Sequence, residues 1–140
     1  WLILFAVLTG CAIGFSRSPE LGWRLVLTWV AINGGLSALG AAVARAHPVT
    51  VLAALCAAPL TSLNPTVGAG MVTGAVEAWL RKPLVADFES LRDDVVRLGG
   101  WWNNRVARVF LVFFLSNLGS AIGTWVAGAS MIKQLAGNGP

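Results

Sequence analysis

The chain has 140 residues, of which 56% are hydrophobic and only 11% charged, with sixteen glycines, seven tryptophans and a mean hydropathy of +0.74. Soluble domains carry about 25% charged residues, so this composition excludes an ordinary water-soluble domain and indicates an integral membrane protein, where glycine is frequent within helices and tryptophan gathers at the interfaces. The formal net charge of +4 does not indicate nucleic acid, because the basic residues punctuate apolar segments instead of clustering on a solvated face.

Residues 1–15, WLILFAVLTGCAIGF, are uncharged. As helix they rise about 22 Å, short of a hydrocarbon core of about 30 Å, and are expected to be the truncated end of a first span. The chain opens on Trp1 in mid-run with no charged flank, which predicts a preceding N-terminal part. Gly10 and Gly14 form a small-xxx-small pair suited to close packing. The stretch 16-SRSPELGW-23 reads as a short polar loop broken by Pro19 and Gly22. Residues 24–45 form a second span between Arg24 and Arg45. Asn33, Gly34, Gly35 and Ser37 in its middle predict a close helix crossing with Asn33 hydrogen-bonded to a neighbour.

Residues 46–82 interrupt this pattern. One helix over 48–80 would be about 50 Å long, and Pro59 and Pro65 oppose an unbroken rod. Two short segments, 48–60 and 65–80, joined at 60-LTSLN-64, fit better. They read either as a re-entrant pair of half-helices or as two short, tilted spans. Residues 87–98 carry Phe88, Leu91, Val95 and Leu98 at helical spacing and predict an amphipathic surface helix with Asp87 as its N-cap. Trp101 and Trp102 suit an interfacial anchor. The last span covers 106–132, with Asn117 as its one strongly polar residue and small-residue stripes at Ser116, Ser120 and at Gly119, Gly123, Ala127. The 137-GNGP-140 tail reads as frayed.

The fold expected is therefore an all-α integral membrane helical bundle: three long spans, a pair of short or re-entrant half-helices and one amphipathic surface helix, as a single membrane domain over 1–140. Arg81, Lys82, Arg92, Arg97, Arg105 and Arg108 make 81–108 the most basic connection, which places it in the cytoplasm. The corresponding location is the plasma membrane of a prokaryote. Small-residue stripes and short spans favour a homo-oligomer.

Chemistry-bearing residues are few. His47 is the single histidine and lacks the converging ligands a metal requires. Cys11 and Cys56 lie in apolar runs as small hydrophobes. No hydrolase, metalloprotease or nucleotide fingerprint is present, so neither a cofactor nor catalysis by this segment is expected. The candidate residues are those of the break, Pro59, Thr61, Ser62, Asn64 and Pro65, together with Glu77 and Arg81. Half-helix ends can form a solute or ion site at membrane depth; alternatively, Thr61, Ser62 and Asn64 cap two helices inside a packed bundle. Glu77 reads either as a functional intramembrane carboxylate or as the partner of Arg81 four residues on.

The motifs 47-HP-48, 57-AAPLTSLNP-65, 68-GAG-70, 74-GAVEA-78, 81-RKP-83 and 87-DFE-89 resemble, in order and spacing, the C-terminal membrane region of the TraB/PrgY pheromone-shutdown family. The resemblance implies an N-terminal soluble domain, a GxxH-containing hydrolase-like fold connected in some members with lowering peptide pheromone activity, which is not in this sequence. Three functions follow: a membrane anchor that positions or regulates that domain, a small-solute or ion pathway built on the 60–65 break with Glu77, and a peptide-binding membrane module. The partners expected are the lipid bilayer, the chain's own N-terminal domain and further copies of itself.

Overall fold

A computed structural model describes residues 1–64 and 66–137; Pro65, and with it part of the expected break, and tail residues 138–140 lie outside the described residues. The described residues are helical, with no strand among them, in the order α1 Leu2–Arg17, α2 Pro19–Val43, α3 Pro48–Thr61, α4 Ala69–Arg81, α5 Val85–Glu89, α6 Leu91–Asp94, α7 Gly100–Asn103 and α8 Arg105–Gly137. Two of these, α2 and α8, are long and apolar enough to cross a membrane, whereas α1 and α3 are shorter apolar helices.

The polar loop expected over 16–23 is reduced to Ser18. Pro19 initiates α2 instead of breaking a helix, because its ring is compatible with the first helical position. Ser18 serves as N-cap, its Oγ accepting from Leu21 N at 3.1 Å. At its other end α2 stops at Val43, and the chain turns through Arg45 at φ 56°. Ala46 N donates to Ala41 O and Arg45 N to Ala42 O, the hydrogen-bond pattern in which glycine usually occupies the left-handed position.

The amphipathic helix expected over 87–98 is instead two short pieces broken at Ser90. Asp87 is not the N-cap; it lies inside α5 and accepts from Leu84 N at 2.7 Å. Asn104 Nδ2, reaching across from the start of α8, donates to Asp87 O at 2.7 Å and Asp94 Oδ2 at 2.8 Å. Side chains that bond locally to backbone compete with a continuous helix. Asn104 and Ser90 also hold the Asp94 carboxyl below its ordinary range, with desolvation opposing. Phe88 and Leu98 of the expected apolar stripe are exposed.

The five longer helices alternate in direction. α2 packs along α8, α3 along α2, α4 along α8 and α3 against α4, which closes a ring of four; α1 lies mainly against α2 and also touches α8. Along the stretch where residues 33–40 of α2 meet 115–124 of α8, small and polar residues make the contact. Asn33 Nδ2 donates to Thr124 Oγ1 at 2.9 Å, Ser120 Oγ to Asn33 Oδ1 at 3.1 Å and Ser37 Oγ to Ser116 O at 3.0 Å. The expected bonding of Asn33 to a neighbour is thus present. Gly40 faces the carbonyl of Leu115, Gly119 that of Leu36, and a Cβ on Gly123 would lie 2.7 Å from Asn33 Cα, so the two backbones touch where side chains are absent.

With 14 and 13 residues, α3 and α4 each rise about 20 Å, well short of the about 37 Å of the 25-residue α2. Beyond their turn the bundle is completed by α1: Val7 joins Leu21, Leu25, Trp29, Ala127 and Met131 in one apolar cluster, with Leu63 of the turn packed against it.

Candidate functional site

The turn between α3 and α4 is built around Pro59. Proline within α3 cannot donate to the preceding carbonyl, and α3 ends two residues later at Thr61. Ser62 Oγ donates to Pro59 O at 3.2 Å and Thr61 Oγ1 to Ala58 O at 3.4 Å. Pro59 O also accepts from Trp29 Nε1 of α2 at 3.1 Å. Asn64 Oδ1 accepts from Thr66 N at 3.0 Å and from Thr66 Oγ1 at 2.6 Å, which makes a local turn. On the far side of the turn α4 begins after Gly68, without a side-chain cap from its own segment. The acceptor comes from α8: Gly70 N donates to Asn117 Oδ1 at 2.9 Å.

Groups freed by the break are therefore taken up by α2, by α8 and by the turn itself. What remains open is a polar recess of about 220 Å³ lined chiefly by Thr61, Ser62, Asn64, Asn117, Ser120 and Thr124. Its lining holds hydroxyls and amides with no ionisable group. Replacing Asn117 with leucine should leave Gly70 N without its acceptor and lower stability by about 1–3 kcal/mol. Thermal unfolding in detergent checks this; no change would mean that Asn117 is dispensable as a cap.

Glu77 is at the opposite end of the half-helix pair. It is 1% exposed. Its Oε2 accepts from His47 N at 2.8 Å and from Thr50 Oγ1 at 2.6 Å, both at the start of α3. Its Oε1 lies 3.1 Å from Arg81 Nε, yet that contact is too poorly aligned to be a hydrogen bond and leaves Oε1 without one. The contact is an ion pair in which Oε1 keeps an open acceptor lone pair. The carboxylate thus stands at the N-terminus of α3 and the guanidinium at the C-terminus of α4, each where the helix dipole favours its sign.

His47 caps α3 through Nδ1, which accepts from Val49 N at 3.2 Å. No group of three or more potential metal ligands gathers among the described residues. Of the residues singled out in the sequence, the structure brings Pro59, Thr61 and Ser62 together at the turn and Glu77 with Arg81 at the base. It does not join the two sets, since Glu77 lies eight residues, about 12 Å, along α4 from its first residue. Thr50, Trp29 and the pairing of Asn117 with Gly70 are additions from the structure. Asn117 carried a signal, being the lone strongly polar residue of its helix, but its partner is 47 positions away.

A family model described as the C-terminal domain of TraB family proteins matches residues 1–136. The chain is also 38% identical over 117 residues to an uncharacterized protein of Methanocaldococcus jannaschii, an alignment that covers 78% of this chain and 28% of that relative. No solved structure matches.

Proposed function

From the premise that the chain belongs to the TraB family, as its C-terminal domain, we propose that it is a membrane-embedded anchor that holds a further domain of the same protein at the cytoplasmic face. The observation that carries this reading is the inverted distribution of polarity. Asn33, Ser37, Thr50, Thr73, Glu77, Ser116 and Ser120 are buried, whereas Leu60, Trp79, Phe114 and Trp125 are between 61% and 80% exposed. A water-soluble fold exposes so many large apolar side chains mainly at interfaces; in lipid they are the solvated face and the polar groups must satisfy one another inside.

Under this reading α2 and α8 span, α1 is a third apolar helix, and α3 with α4 forms a re-entrant pair that enters and leaves at one side. Seven of the ten Lys and Arg residues lie at the base shared by α3, α4 and α8, or in the connections there, which favours that end as cytoplasmic. The anchored domain would be the GxxH hydrolase-like domain that the family resemblance implies, with action on peptide pheromones as its proposed role. The matched segment is 28% of the relative's length, which leaves room for such a domain.

A solute pathway through the break is the second reading, supported by the recess between Thr61, Asn64, Asn117 and Thr124. We favour the anchor because the freed backbone groups at Pro59 and Gly70 have protein partners. The deciding experiment uses the whole protein of which this domain is part. Carbonate-washed membranes should retain it and release a form lacking these 140 residues, and proteoliposomes should show no solute or ion flux. Release of the whole protein by carbonate would sink the anchor. Flux abolished by Asn64→Ala would favour the pathway.

A further inference from the structure

The base of the bundle holds a second feature that neither the anchor nor the pathway uses. Leu80, Arg81, Lys82, Asn103, Arg105 and Arg108 line an open pocket of about 470 Å³. Four cations thus converge where α4 ends and α8 begins. Among the described residues the ion pairs are Glu20–Arg24 and Glu77–Arg81, so Lys82, Arg105 and Arg108 have no carboxylate partner.

The arginines are nevertheless held in place. Arg81 is tethered through Nε to Glu77. Arg105 Nη1 donates to Lys82 O at 3.4 Å. Arg108 donates through Nε to Trp102 O at 2.7 Å and through Nη2 to the same carbonyl. A guanidinium has five donors, so each anchored arginine retains donors on its other edges. Fixed guanidiniums with spare donors suit the geometry of a phosphate, and the cost of bringing like charges together is met before any ligand arrives. At the same end of α4 and α8, Trp79 and Phe110, each two residues from a pocket arginine in sequence, are 73% and 60% exposed, apolar surface on which acyl chains would lie.

We propose that Arg81, Lys82, Arg105 and Arg108 form a binding site for a phosphate anion, supplied by the head group of an anionic phospholipid. The phosphate chemistry stands on the cation cluster alone; the lipid source rests also on the membrane reading. Such a site would fix the depth and rotation of α4 against α8, since basic pockets between helices recognise anionic head groups.

The chain in dodecylmaltoside micelles, titrated with phosphatidylglycerol or phosphatidylcholine and read by native mass spectrometry, tests this. Phosphatidylglycerol should be retained in preference. The variant Lys82→Ala with Arg105→Ala, both exposed positions, should weaken retention about fivefold for each cation removed. The matched variant Arg24→Ala with Lys133→Ala, at the opposite end, should not. A parallel arm adds inorganic pyrophosphate without lipid. Stabilisation there with the same variant dependence would retain the phosphate site and assign it a soluble ligand. Equal retention of the two lipids without a pyrophosphate effect, or equal weakening by the two variant pairs, would overturn the site. Insertion of the chain into phosphatidylcholine vesicles, measured separately by flotation, reports on the membrane reading itself.

Discussion

Replacing Glu77 with alanine is expected to lower stability by about 3–5 kcal/mol, the usual result of removing the buried, hydrogen-bonded member of a charge pair. The substitution leaves three groups stranded at once: the His47 backbone N–H, the Thr50 hydroxyl and the Arg81 guanidinium. Arg81 is 29% exposed, so it can turn toward water and recover part of the loss, whereas Thr50 is fully buried and cannot. Glu77→Gln should cost less, because an amide oxygen still accepts from His47 N and Thr50 while the ion pair is lost. Unfolding followed by tryptophan fluorescence in micelles would measure both. An alanine variant within about 1 kcal/mol of the parent would show that the α3–α4 base is held by packing alone and that this carboxylate is retained for another reason.

The second large effect belongs to the α2–α8 seam. Alanine at Gly40 or Gly119 would drive a Cβ into the carbonyl of Leu115 or Leu36, and at Gly123 to 2.7 Å from Asn33 Cα. These obstacles are backbone, which cannot swing aside, so each substitution should cost about 1–3 kcal/mol, and leucine more. Separating the helices would also stretch the Asn33–Thr124 and Ser37–Ser116 bonds; because that separation is shared, paired substitutions at Gly40 and Gly119 should cost less than the sum of the two. Gly35 and Gly128, whose Cβ positions meet nothing within 4 Å, provide the control: alanine there should be neutral or gain up to about 1 kcal/mol of helix propensity. Indistinguishable melting of G119A and G128A would refute the close-contact seam.

How far the sequence discloses this arrangement depends on the range of each interaction. Local chemistry is legible: the break at Pro59, the pairing of Glu77 with Arg81 one turn away, and the small-residue face of α8 follow from spacing. Asn33 announces an interhelical bond simply by being an amide in an apolar run. The role of Pro19 is misread, since proline stops one helix and starts another and only the capping serine before it decides which. The 87–98 stripe has helical spacing, yet Asn104 from beyond it takes the backbone and side-chain acceptors that a continuous helix would have kept apart. The links between Thr50 and Glu77 and between Gly70 and Asn117 depend on which helices become neighbours, and periodicity is silent on that.

The dependence of α4 on Asn117 has a consequence for biosynthesis. At the moment α4 has been made at Arg81, the α8 backbone against which Gly70 packs, at Phe113, and the acceptor for Gly70 N, at Asn117, still lie 32 and 36 residues in the future. On the re-entrant membrane reading proposed above, a hairpin about 20 Å long has until then nothing at its tip to receive the N–H of Gly70, and lipid offers no substitute. The hairpin should therefore wait near the surface and sink to its final depth only as α8 enters, making the last helix the step that commits the rest. Chains arrested before residue 105 should leave a cysteine at Ser62 open to aqueous thiol reagents, and chains carried through residue 137 should protect it. Equal protection in the two would show that the hairpin settles unaided.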